Sequence, residues 1–274
     1  MKKIINLIMT IFLLSCGEDG FKKYEKLEAF RVLGIVSSSP EVADTGEVVT
    51  LTPVVSDITN EGREISISIS ACLDPGVSRG AEVNCEGESF SQEVVYNSGN
   101  SVDLNATLGA TFFTGVMPTA SVTLPTGVLF GKSAIEQYNG VDYLIIFDFK
   151  ANDESLLKSF KRIKVSTRPI KNSNPTLGVV GSLSLTSEEQ SLEVQNSSSK
   201  ETFDFYSLSG KPEQKSEVMY LTWFTSNGSI LNSQVYVDEV SELSFDSSLP
   251  NEAVVVVILR DGRGGADFEV VYVN

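Results

Sequence analysis

The sequence has no histidine, 3 cysteines and a single tryptophan in 274 residues, and its 21 basic side chains are outnumbered by 36 acidic ones. Each shortage closes off a class of function. Without imidazole the chain lacks the commonest general base and the commonest metal ligand, and with them every Ser-His or Cys-His pair. A net charge of −15 without clusters of Lys and Arg is the opposite of what a phosphate backbone attracts, so nucleic acid is excluded as a partner. Long helical periodicity is scarce too, which leaves little room for a helical fold. The 41% apolar share is enough for one or two ordinary cores, and the length favours two domains.

The first sixteen residues are the most informative. Met1-Lys2-Lys3 is a positive start, Ile4 to Leu14 is an apolar run of signal-peptide length, and Ser15 and Cys16 close it. A helix over that run rises about 1.5 Å per residue and reaches roughly half of a bilayer core about 30 Å thick, so it is no mature transmembrane span. Leu13-Leu14-Ser15-Cys16 resembles the lipobox of bacterial lipoproteins, although Leu14 stands where a small or β-branched residue is more usual. The resemblance implies a diacylglyceryl thioether on Cys16 and removal of residues 1–15. The processed chain then carries 21 − 2 = 19 basic and 36 acidic residues, a charge of 19 − 36 = −17. Acyl chains, at about 0.8 kcal/mol per buried CH₂, would hold it at a membrane that its charge avoids. Gly17 in place of Asp implies, by the same resemblance, the outer membrane, facing either the periplasm or the surface. Residues 16–28 read as a solvated, lipidated tether with no core before Ala29.

With Cys16 given to lipid, Cys72 and Cys85 remain in an oxidising compartment and are expected to pair. Closing a loop of about 14 residues would contribute roughly 3 kcal/mol. In Ile65-Ser66-Ile67-Ser68-Ile69-Ser70 the isoleucines face a core and the serines do not, and Cys72 continues the serine parity, so the bridge is expected outside the core.

Short alternating runs bounded by Gly, Pro, Asn and Ser recur along the chain, which therefore reads as all-β. Expected strands in residues 29–168 are Phe30 to Val36, Glu47 to Ser56, Glu64 to Ala71, Gln92 to Tyr96, Ala120 to Leu124, Tyr143 to Lys150 and Phe160 to Thr167. Asn97 to Pro118 reads as an insertion or extra hairpin. The break at Arg168-Pro169 and Asn172-Ser173-Asn174-Pro175 marks a domain boundary. Residues 169–274 then offer Gly178 to Leu185, Ser191 to Gln195, Glu217 to Thr225, Val235 to Val237, Leu243 to Phe245, Ala253 to Arg260 and Phe268 to Val273. The expected architecture is two tandem Ig-like antiparallel β-sandwich domains after a signal peptide and short tether. Phe30 to Ile35, Gly46 to Leu51, Trp223 to Gly228 and Leu259-Arg260-Asp261-Gly262-Arg263-Gly264-Gly265 are similar to Ig-like or PKD-like modules of secreted bacterial lipoproteins, especially in predatory and myxobacteria-like lineages. That resemblance implies architecture and location and supplies no catalytic residue.

Candidate sites are few. Gly131-Lys132-Ser133 has the end of a P-loop, but the leading glycine is missing, and a loop with a short helical turn is the better reading. Ser155 to Lys158 and Ser197 to Lys200 have the serine-lysine spacing of penicillin-binding enzymes without the Lys-Thr-Gly strand that chemistry needs. The glycines between Asp261 and Asp267 fit a tight hairpin. The two aspartates could contribute to a Ca²⁺ site but fall short of its six to eight oxygens. Trp223 is expected in the core, with sugar stacking as the alternative. No catalytic residue, cofactor or metal is expected. The reading is a non-catalytic, membrane-anchored envelope or surface lipoprotein serving as spacer, adhesion or assembly module, with an unnamed protein or polysaccharide partner. The alternative is a carbohydrate- or peptide-binding module working with a separate enzyme.

Overall fold

Alternation of apolar and polar residues becomes sheet wherever one face can be buried, and this chain follows that rule almost throughout. The computed structural model describes residues 24–27, 30–58, 63–76, 83–96, 101–103, 113–151, 156–195, 197–246 and 252–274. The fold is all-β and of the sandwich type, with one short helix among the described residues. The first part contains β1 (Arg31–Ser37), β2 (Glu41–Val42), β3 (Val48–Asp57), β4 (Glu64–Leu73), β5 (Gln92–Val94), β6 (Ser101–Asp103), β7 (Phe113–Val116), β8 (Ala120–Thr123), α1 (Ala134–Asn139), β9 (Val141–Ala151) and β10 (Leu157–Val165). The second contains β11 (Val179–Val180), β12 (Gln190–Leu192), β13 (Val194–Gln195), β14 (Thr202–Tyr206), β15 (Pro212–Ser216), β16 (Tyr220–Thr225), β17 (Ser229–Leu231), β18 (Gln234–Tyr236), β19 (Ser241–Ser244), β20 (Ala253–Arg260) and β21 (Ala266–Val273).

Four sheets stack through three apolar clusters. A sheet ordered β2-β10-β9-β4-β5 faces one ordered β1-β3-β7, with β8 also on β3. Between them lie Ile65, Ile67 and Ile69 of β4, Phe147 and Phe149 of β9, and Val49 and Leu51 of β3. In the second part, β18-β16-β20-β21 covers β12-β19-β17, with Trp223, Val255, Val257 and Leu243 between. A third cluster joins the two parts: Leu33 of β1 and Val54 of β3 meet Phe224 of β16 and Val254, Val256 and Ile258 of β20. Alternate side chains of β20 therefore enter different cores. This is the physical reason for its unbroken apolar run, since a strand covered on both faces has no polar parity. Gly34 makes the close stacking feasible, because a Cβ there would lie 3.1 Å from Ile258 Cδ1.

Several expectations change. Leu27 is fully buried in the third cluster, and the Leu27 N–H donates to the Thr225 carbonyl at 3.0 Å, so core begins before Ala29 and the tether expected over residues 16–28 ends in a docked segment. Lys26 adds a bond from Nζ to the Gly228 carbonyl. The Asn97 to Pro118 region is not a hairpin in itself: β6 pairs with β4 and β7 with β3, in different sheets. Gly178 to Leu185 contracts to the two residues of β11. The hairpin β14-β15 appears where no strand is expected from the sequence, and every residue of β15 is exposed. Trp223 is fully buried, which removes the sugar-stacking alternative.

The Cys72–Cys85 disulfide is present. Cys72 lies on the face opposite the isoleucines, outside the first core, as its parity requires. That face is nevertheless closed there, since both cysteines pack with Leu144 and Ile146 into a small cluster of their own. Replacing both cysteines by alanine is expected to lower unfolding free energy in urea by about 3 kcal/mol, the chain-entropy value for a loop of this size. An unchanged urea midpoint would contradict that role.

Candidate functional site

The connector at the expected domain boundary is a packed junction. Arg168 and Asn172 are buried, and around them converge Glu41 of β2, Ser166 just beyond β10, Glu217 ahead of β16, and Asp261 and Arg263 of the turn between β20 and β21. Glu41 is the centre. Its Oε2 lies 3.6 Å from Arg168 Nη1 and 3.5 Å from Arg263 Nη2, and accepts the Asn172 N–H at 2.9 Å, while Oε1 accepts the Ser166 hydroxyl. Arg263 also pairs with Glu217 at 2.9 Å and lies over the Phe203 ring, 4.1 Å from its centroid. Arg168 approaches the same ring and that of Tyr138. Burial draws the Arg168 guanidinium below its usual pKa, and Glu41 opposes that shift. The exchange of charge is internal, which is how buried ions are tolerated.

The turn after β20 is built to fit this place. Asp261 is buried, and its Oδ1 accepts the Arg263 N–H at 2.7 Å and the Gly265 N–H at 2.9 Å, while Oδ2 accepts Asn172 Nδ2 at 2.7 Å. Gly262 and Gly264 take positive φ, as a tight hairpin requires, and a Cβ on Gly265 would strike Asp261 Oδ2 at 2.3 Å. Asn174 continues the stitching, donating to the Ser37 carbonyl and accepting the Ala266 N–H. Asp267 is used elsewhere, accepting the N–H groups of Leu177 and Phe268. The pair considered for Ca²⁺ is thus committed to hydrogen bonds within the chain, and no group of three or more potential ligands occurs among the described residues.

Next to the junction lies a cavity of about 350 Å³, walled by β1 from Val32 to Val36, by Phe160 and Lys161 of β10, by Tyr220 and Arg260, and by the glycines of the turn. Lys161 Nζ donates to the Gly264 carbonyl at 2.5 Å. Burial pulls its pKa down to about 8, with Asp261 opposing and Arg260 reinforcing the shift. Arg260 donates to Thr222 Oγ1 and to the Leu33 carbonyl, both at 3.0 Å. Tyr220 sits opposite Arg260 on one side and opposite Tyr236 on the other, so the three share one face of the sheet. A second hollow of about 320 Å³ lies beyond Tyr220, beside Tyr236 and Gln234.

No protein-family model and no curated protein matches the chain. Among solved structures, red sea bream transglutaminase is similar over 89% of this chain and 31% of its own, at 12% identity and a TM-score of 0.29. The chain spans about a third of that protein's length. A likeness this faint says nothing about activity.

The other residues singled out in the sequence lie apart from this site. Cys16 and Ser155 fall outside the described residues. Lys132 and Ser133 open α1: the Ser133 hydroxyl accepts the Glu136 N–H and the Glu136 carboxylate accepts the Ser133 N–H, a capping box rather than a phosphate loop. Hydrogen bonding to the carboxyl from the Ser133 side chain, and then from the Ser133 N–H, holds Glu136 below its usual pKa. Lys158 lies 3.9 Å from Asp148, and Lys200 lies 3.7 Å from Asp238, while the Ser197 hydroxyl accepts the Gly178 N–H. The sequence reading gives Glu41 and Lys161 no site role and reads Arg168 and Asn172 only as part of a boundary. Lys161 did carry a signal, because it shares strand parity with Leu157, Ile163 and Val165, all packed in or against the first core.

Removing one partner of a buried ion pair strands the others. Glu41→Ala is therefore expected to destabilise the protein by about 3–5 kcal/mol in chemical denaturation. A loss under about 1 kcal/mol would show that the two arginines do not depend on it.

Proposed function

We propose that this chain is an exported, non-catalytic envelope protein, fixed to the outer membrane by a lipid on Cys16 and serving as a rigid spacer, adhesion or assembly module. The observation that carries this reading is the junction. Its buried charges are matched by partners in the chain, and it joins the first and second parts through side chains, connector and turn together. Such a body transmits position rather than flexing between units. The docked segment at Lys26 and Leu27 supports the same reading from the other end. From Cys16 to Tyr24 there are 24 − 16 = 8 chain steps, which at 3.3–3.6 Å each span at most about 29 Å, so a lipid on Cys16 would keep the body close to the bilayer. The absence of histidine and the internal use of the junction's charged groups favour a non-catalytic role.

The alternative, a binding module for peptide or carbohydrate, draws on one observation. Tyr236, Tyr220 and Arg260 form a cross-strand row on one sheet face between two hollows.

The anchor is tested by intact mass of the protein extracted from membranes in detergent. The expected product begins at Cys16 and carries acyl chains, and Cys16→Ser should leave the precursor unprocessed or release the protein from the membrane fraction. A mature protein with an unmodified Cys16 contradicts the proposal.

A further inference from the structure

Lys161 and Arg260 are the unusual pair in this molecule. In a chain with 36 acidic residues, neither has a carboxylate partner among the described residues, and both face one cavity. Their hydrogen-bond partners are neutral oxygens: the Gly264 carbonyl for Lys161, and the Leu33 carbonyl and Thr222 hydroxyl for Arg260. Asp261 favours the charge on Lys161 without forming an ion pair with it, and its oxygens bond Asn172 and the N–H groups of Arg263 and Gly265. Two adjacent cations in a partly buried place repel each other, and burial alone disfavours the charge on Lys161. Such an arrangement lowers stability unless an anion completes it.

The walls narrow the identity of that anion. β1 is the edge strand of its sheet, pairing with β3 alone among the described strands. Main-chain groups at alternate residues along an edge strand therefore face away from the sheet. Two such carbonyls are occupied, that of Leu33 by Arg260 and that of Ser37 by Asn174. Residues two apart point the same way, so the N–H and C=O of Ile35 face outward with the carbonyl of Ser37. The opposite wall includes the backbone of Gly262, Gly264 and Gly265. A wall of main chain with cations beside it suits another main chain that ends in a carboxylate. The volume, about 350 Å³, lies at the lower end of the roughly 300–1,000 Å³ typical of ligand sites. We infer that the cavity between β1, β10 and the Gly262–Gly265 turn captures the C-terminus of an extended peptide, its carboxylate held by Lys161 and Arg260 and its backbone by the free edge of β1 at Ile35. Tyr220, at the boundary with the second hollow, would carry the preceding side chain. This inference goes beyond the anchoring reading and does not depend on it.

The test is calorimetric titration of the full chain in detergent with a set of acetylated tripeptides covering every residue type at the last position, each as free acid and as C-terminal amide. Glucuronate serves as an acidic sugar control. The expected result is binding by members of the acid set, at least tenfold weaker binding by the matching amides, and at least tenfold loss in Lys161→Gln with retention in Lys161→Arg. Lys161→Gln removes no ion pair, and its thermal midpoint, equal to or above that of the parent, shows that it is folded. Equal binding of acids and amides, no binding by any peptide, unchanged binding in Lys161→Gln, or tighter binding of glucuronate than of every peptide would each overturn the inference.

Discussion

The carboxylate of Glu41 determines how the two parts of this protein can meet. A carboxylate held at 3% exposure needs partners of opposite charge and donors for its remaining lone pairs, and Glu41 finds them on two separate stretches of chain. Ser166, Arg168 and Asn172 come from the end of β10 and the connector that follows it, and Arg263 from the distant turn. Moving either of these stretches would leave a buried charge unmatched. The connector is consequently fixed, although its prolines, asparagines and serine have the composition of a loose link. Glycine chemistry in the turn follows from the same demand, since Gly265 must leave room for Asp261 while Asp261 holds Asn172.

Apolar packing supports what the charges specify. β20 feeds Val255 and Val257 to one core and Val254, Val256 and Ile258 to the cluster shared with β1 and β3. Full burial of a side chain of this size is worth about 1.5–3 kcal/mol, so the shared cluster contributes strongly to joining the parts. The buried ions contribute less to net stability, because desolvation offsets much of their attraction; they set the register in which the apolar faces meet. Leu27 extends the same cluster to the start of the described chain, beside Thr225. The segment following the proposed lipid site thus packs at the seam of the two parts, bonded to Thr225 and Gly228 of the second and to Arg31 of the first.

Fold class was legible because alternation reports burial directly: Ile65, Ile67 and Ile69 were assigned to the core by period alone, and β20 was bounded to the residue by its apolar run and the following Asp-Gly. The β14-β15 hairpin was illegible because its strands gain little from burial. They are held by ring contacts of Phe203 and Phe205 with Arg263 and Lys215, and by Asn139, which bonds both the N–H and the C=O of Tyr206. The junction was half legible. The Asp261 to Gly265 motif stood out as a turn, but its partners, Glu41 and Asn172, are 220 and 89 residues away from Asp261 in sequence and share no local pattern with it. Lys161 was open to detection, being a cation on the apolar parity of its strand.

Joined by the Glu41 junction and the shared apolar cluster, the first and second parts should unfold as one cooperative body. Differential scanning calorimetry of the full chain in detergent checks this by comparing the measured enthalpy of unfolding with the enthalpy implied by the sharpness of the transition. A single transition in which the two enthalpies agree is expected. Two resolved transitions, each with the enthalpy of about half the chain, would contradict it.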